Sequence, residues 1–285
     1  MPFRREVAVD SMARTPSPYK TIAVASTFSP RFKQVLGEAK RMRDRFSADL
    51  HLIYVGKRDE ATAQKFTVAF TQVRLPSDST IHYEEGEPAE AILRVLAREK
   101  IDMIMAGALE KEVVLHPFLG NVARRLVREA ACSVMLFTTP VLPPKPLRRM
   151  VFVADYSDHG LDALKRTLQL AEAESTERLY VIRVITTFDQ ARASVRENAD
   201  KKPSQADDQQ DRLENFVLSA GATEVLIEAR CIHGNTGLVA SDFVQSVEAD
   251  LLVVPLRENG ESGQALPSRI AWITDVIPCN LWVIR

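Results

Sequence analysis

Apolar positions along this chain follow two periods in turn, short runs of near-continuous hydrophobicity and longer stretches at helical spacing. The runs TIAVAS, LHLIYV and IHYEE read as strands, as do DMIMAGA and SVMLF. Between them RFKQVLGEAKRMRDRF turns Val35, Leu36 and Met42 to one side and its basic residues to the other. Ser29-Pro30 reads as the cap and first-turn pair of that helix. A second helix starts at Pro88 of Gly86-Glu87-Pro88, with Ala89, Ile92, Leu93 and Leu96 at helical spacing, and VARRLVREA makes another. The pattern then restarts: VFVADYS, RLYVIRVI, TEVLIEARCI, DLLVVP and NLWVIR are the strands of a second series. Strands alternating with helices argue for a parallel sheet covered on both faces.

The second series copies the first. Asp102 and Asp250 are 148 positions apart, as are Gly86 and Gly234, and Cys132 and Cys279 are 147 apart. A repeat this long is a whole domain duplicated. The expected division is a polar tail over 1–19, one domain over 20–138, a proline-rich linker over 139–148 and a second domain over 149–285. From Val55 to Gly86 is 31 positions, whereas Val184 to Gly234 is 50. The excess covers the polar segment 197–211, read as a mobile loop or a solvated helix extension, with a partner-binding lid as the alternative.

Composition narrows the class. The chain has 285 residues, 46% hydrophobic and 26% charged, with a net charge of −1. That balance gives no electrostatic case for nucleic acid or an anionic membrane. No apolar run reaches the roughly 20 residues of a membrane span, and the first residues lack the apolar centre of a secretory signal. Three cysteines make no disulfide framework, and Cys132 and Cys279 fall at matching strand starts, as buried thiols do. The expected compartment is cytoplasmic.

The motif D-x-x-x-x-G followed by L-G-x-V-A-R-R-L-V-R-E-A-x-C-x-V, from Asp102 to Val134, resembles the signature of the universal stress protein family. Asp155-Tyr156-Ser157 after the second copy's first strand and Gly86-Glu87-Pro88 fit the same pattern. The resemblance covers about 20–138 and 149–285, so the chain looks like a tandem member. It implies an α/β fold: two tandem copies of a five-stranded parallel, doubly wound Rossmann-like sheet of order 3-2-1-4-5, with ligand sites at the switch points. It also implies pairing of the two copies through their last strands, near 133–137 and 281–285. A homodimer and an unidentified protein partner are further expectations.

Nucleotide-binding members carry G-x2-G-x9-G-[S/T] after strand four, because glycines let backbone N–H groups approach phosphates. In the first copy Gly107 and Gly120 hold the outer glycine positions, Glu110 replaces the middle glycine and Asn121 the hydroxyl residue. Thr27 stands where the family has an acid that contacts the adenosine, and Val55 is expected near the base or ribose. A carboxylate at Glu110 repels a triphosphate. In the second copy the acid is present as Asp155 and the hydroxyl as Ser268, but Pro255 and Pro267 replace glycines and have no N–H to donate. Each copy therefore lacks a complete site. Gly107 and Gly120 also read as turn residues, and Asp155 as a helix cap.

No other constellation competes. The five histidines form no i,i+4 pair, although His116 and His233 lie in loops near the sites, and no P-loop lysine or nucleophile elbow is present. The expected function is a non-catalytic cytoplasmic stress-response protein acting by partner binding. ATP or AMP would be held weakly, in the first copy by preference. A nucleotide-responsive sensor is the alternative, and a slow nucleotide hydrolase with Glu110 as metal ligand or base is a further one.

Overall fold

A computed structural model describes residues 17–77, 79–108, 119–186, 205–234, 236–256 and 277–285. The first copy contains β1 (Thr21–Ser26), α1 (Phe32–Phe46), β2 (Asp49–Val55), α2 (Glu60–Val73), β3 (Thr80–Glu84), α3 (Pro88–Arg98), β4 (Met103–Gly107), α4 (Asn121–Glu129) and β5 (Ser133–Phe137). The second contains β6 (Arg149–Val153), α5 (Asp158–Ala173), β7 (Arg178–Ile185), α6 (Gln205–Leu218), β8 (Ile227–His233), α7 (Thr236–Ser246), β9 (Leu251–Pro255) and β10 (Asn280–Ile284).

All ten strands join one sheet, ordered β3-β2-β1-β4-β5-β10-β9-β6-β7-β8. Each half therefore has the expected order 3-2-1-4-5, and the halves meet last strand to last strand. Every pairing is parallel except β5 with β10, where Val134 faces Val283 and Leu136 faces Leu281 in antiparallel register. The pairing covers two strand edges that would otherwise be open. Two apolar layers flank the sheet, one under α1, α2, α5 and α6, the other under α3, α4 and α7, and each runs through both copies.

The seam is secured from both sides. Trp282 of β10 is fully buried and packs against Tyr19 and Phe46 of the first copy, with ring centroids 6.1 and 5.9 Å away. Tyr19 donates its hydroxyl to Ser133 Oγ at 3.0 Å. Ser133 Oγ in turn accepts the Arg285 N–H at 3.1 Å. Asn280 Oδ1 accepts the Thr138 N–H at 3.0 Å.

The repeated residues do repeated work. Asp102 Oδ2 accepts the N–H groups of Lys20 and Thr21 at 2.7 and 2.9 Å; Asp250 Oδ2 accepts those of Arg148 and Arg149 at 2.8 and 2.9 Å. Each aspartate ties the start of the fourth strand of its copy to the start of the first. Gly86 and Gly234 have φ of +111° and +143°, conformations that side chains disfavour. Pro88 opens α3 as expected, and Glu87 caps it by accepting the Glu90 N–H.

Two local readings change, and one open alternative resolves in its described part. α1 starts at Phe32, not at Pro30: its cap is Arg31, which makes no side-chain cap bond, and Ser29 contributes only its carbonyl to the Phe32 N–H. The sequence reading placed no helix between β2 and β3, yet α2 lies there, capped by Asp59 and burying Phe66, Ala69, Phe70 and Val73. Of the polar segment 197–211, residues from Gln205 onward belong to α6, which buries Leu213; residues 197–204 lie outside the described residues.

Candidate functional site

The switch point of the first copy lies at the carboxyl ends of β1 and β4. Thr27 follows β1 and is exposed, Gly107 ends β4, and Gly120 caps α4 with Asn121 as its first residue. The Gly120 N–H bonds to the Ala108 carbonyl at 3.0 Å, so both ends of the β4–α4 loop are fixed together beside the first turn of α4. Gly107 has ordinary strand geometry, and a Cβ on it would meet only Val35 Cγ2 at 3.4 Å. Residues 109–118, which include Glu110 and His116, lie outside the described residues.

Val55 closes β2 and is half-buried. On the opposite face of β2 from Val55 lies a cluster of aromatic rings around Tyr54, which the sequence reading passed over. Phe28 packs on Tyr54 of β2 at 5.1 Å, on Phe66 of α2 at 4.9 Å and on Phe32 at 5.3 Å, with Lys65 over its face. Phe66 also meets Tyr83 of β3 at 6.2 Å. The signal was present in Phe66, Ala69, Phe70 and Val73, spaced as one helical face after Asp59.

At the second switch point Asp155 follows β6. Its Oδ1 accepts both the N–H and the hydroxyl of Ser157, at 3.0 and 2.8 Å. Ser157 Oγ accepts the Gly160 N–H at 2.9 Å and so caps α5. A Cβ on Gly160 would overlap Asp155 Oδ1, so this glycine makes room for the carboxylate. Between them Tyr156 has φ of +60° and lies between Arg183 and Arg212, whose guanidinium carbons are 5.1 and 4.5 Å from its ring centre. Burial raises the Tyr156 hydroxyl pKa, the Cys231 thiol adds to the rise, and Arg183 and Arg212 oppose it. Pro255 is the buried last residue of β9, paired with Ile284. Pro267, Ser268 and Trp272 lie outside the described residues.

Other candidates fall elsewhere. His51 and His82 meet across β2 and β3, with Nδ1 and Nε2 3.1 Å apart, and His82 Nδ1 is 3.8 Å from Glu99. Register alone unites residues 31 positions apart. Burial lowers the His82 pKa, with Glu99 opposing. Among the described residues no group of three or more His, Cys, Asp or Glu side chains could hold a metal ion. No helix of the described residues is long and apolar enough to cross a membrane.

A duplicated doubly wound sheet whose halves meet last strand to last strand defines a tandem α/β protein. The model of the universal stress protein family matches residues 56–138 and 146–285, and the chain belongs to that family. A universal stress protein of Thermus aquaticus is 42% identical over 52 residues, a stretch spanning 18% of this chain and 38% of that protein. A solved universal stress protein from Archaeoglobus fulgidus superposes with a TM-score of 0.68 at 13% identity, covering 94% of this chain and 99% of that one. A functionally unknown protein from Pseudomonas aeruginosa superposes at 0.69 and 14% identity, covering 94% and 93%. At those identities the structural likeness speaks for the fold.

Proposed function

We propose that this chain is a non-catalytic, cytoplasmic stress-response protein whose two domains, over 20–138 and 149–285, retain degenerate adenine-nucleotide sites and that it acts by binding a protein partner. The second site is silent and the first holds ATP or AMP weakly. The observation that carries this reading is the geometry of Asp155. Its Oδ1 serves Ser157 and the α5 cap, and Gly160 backs it closely, so an acid matching the family pattern here is held by helix-capping work. In the first domain Gly107, Gly120 and Asn121 border the amino end of α4, where backbone N–H groups suit phosphate. Phe28, next to Thr27 in the chain, packs its ring on Tyr54 and Phe66, on the opposite face of β2 from Val55.

Calorimetry with ATP tests the reading, together with chromatography of a denatured extract for a copurified nucleotide. We expect weak ATP binding that Gly120→Trp abolishes and Asp155→Ala leaves intact. Submicromolar binding that survives Gly120→Trp but not Asp155→Ala would reverse the ranking of the two sites. Multiple ATP turnover with magnesium, lost in Glu110→Gln, would overturn the non-catalytic reading.

A further inference from the structure

A groove of about 530 Å³ runs between α1, the carboxyl end of α2 and the linker residues Leu142, Pro143 and Pro144. It lies where α1 and α2 lead into the starts of β2 and β3, at the opposite end of the sheet from Gly107 and Gly120. Its volume falls within the range that holds small ligands.

Its two walls differ in chemistry. The linker wall is apolar, and Leu142 remains 43% exposed on it. Gly37 lets this wall approach: a Cβ there would lie 2.7 Å from Leu142 Cδ1. A glycine inside a helix costs about 1 kcal/mol relative to alanine, and here it leaves room for the Leu142 side chain on α1. The facing wall carries Lys40, Arg41, Arg45 and Arg74 against one lining carboxylate, Asp44.

The cations are not equally engaged. Arg41 is committed, to the Lys145 carbonyl at 2.6 Å, to Glu174 at 2.8 Å and to Glu38 at 2.6 Å. Among the described residues Arg45 gives only Nε, to Glu174 at 2.6 Å, which leaves its two terminal nitrogens. Lys40 bonds Asp44 at 2.6 Å and keeps two further N–H donors. Asp44 is also offset by Arg43 at 3.2 Å. Arg74 has its backbone fixed as the cap of α2, at φ of 58°, while its guanidinium meets no acceptor among the described residues. Three side chains with spare N–H donors thus share a groove with an exposed leucine and two prolines.

We propose that this groove is a second ligand site, for a soluble phosphate monoester bearing an apolar group. The phosphate lies among Lys40, Arg45 and Arg74, and the apolar group on Leu142 and the prolines. Guanidinium forks match phosphate oxygens in geometry as well as charge. Because Arg45 also holds Glu174 of the second copy, the ligand would rest directly on the junction between the halves.

The test is calorimetric titration of the full chain with phenyl phosphate and, separately, inorganic phosphate. Each variant is first checked for folding by urea denaturation; Arg74→Asn suits the left-handed backbone there. Lys40→Gln with Arg74→Asn should weaken phenyl phosphate by about tenfold or more. Leu142→Asn should weaken phenyl phosphate and leave inorganic phosphate unchanged. Gly120→Trp should leave both unchanged, which separates this site from the nucleotide reading. No measurable phenyl phosphate binding, undiminished affinity in the Lys40/Arg74 variant, or loss of binding on Gly120→Trp would each overturn the proposal.

Discussion

Arg41 Nη1 lies 2.8 Å from Glu174 Oε2, although 133 positions separate them and they come from different copies of the repeat. Glu174 also accepts from Arg45 Nε at 2.6 Å and from the Leu147 N–H at 3.3 Å, and its side chain is only 1% exposed. This carboxylate therefore joins α1, the linker and the end of α5. Removing one partner of a buried pair strands the other charge. Glu174→Ala should lower stability by about 3 kcal/mol. Replacing Arg41 and Glu174 together by methionine should cost less than the sum of the two single changes. Urea unfolding of the parent, Glu174→Ala, the two single methionine variants and the double methionine variant measures both effects.

His82 makes stability depend on acidity. Burial is the leading cause of its lowered pKa, Glu99 opposes, His51 and Arg98 add to the lowering, and Glu84 opposes. A histidine with a depressed folded pKa binds fewer protons folded than unfolded, so its contribution is present above the unfolded value near 6.5. It is lost as pH falls through the lower, folded value. His82→Gln should flatten the decline of the thermal midpoint below pH 6.5, relative to the parent. Melting curves from pH 7.5 down to pH 5 provide the comparison.

The three cysteines should react in a fixed order. Burial pushes the Cys132 thiol up to about 11 and the Cys279 thiol up to about 12. Cys231, on the edge strand β8, is raised by burial as well, though less than the other two; it and Cys132 are both half-buried, so the thiol pKa and not exposure separates them. Since the thiolate is the nucleophile, iodoacetamide at pH 8 should label native protein at Cys231 first. Cys132 and Cys279 should label only after unfolding. Peptide mass spectrometry over a time course reads the order.

Gly160 should resist even the smallest side chain. An alanine Cβ would overlap Asp155 Oδ1 and force the carboxylate off Ser157. Gly160→Ala should cost about 2 kcal/mol through crowding, and Asp155→Ala about 1 kcal/mol through the lost hydrogen bonds. Urea midpoints would check both values.

The central strands were legible because buried runs such as VFVA (151–154) and LLVV (251–254) are apolar throughout and β-branched residues are common in them. Spacing alone exposed the duplication, and Asp102 and Asp250 explain why: the same two backbone bonds are needed in each copy. What stayed hidden depends on register. His51 meets His82, and Phe28 meets Tyr54 and Phe66, because neighbouring strands and α2 bring distant residues together. The cap of α1 was misplaced because Ser29-Pro30 is a good start signal whose turn runs two residues before the helix. α2 escaped because its polar content obscured the Phe66, Ala69, Phe70 and Val73 face.

The antiparallel meeting of β5 and β10 has a consequence for how the molecule behaves when dilute. Two separate chains joined by such strands would part as their concentration fell, whereas here the tether keeps the halves at a high effective concentration. Their one-to-one stoichiometry cannot be altered by expression level. Selection can then act on each half as a distinct object. That freedom accommodates Gly107 at the end of β4 in one copy and Pro255 at the end of β9, the matching position, in the other.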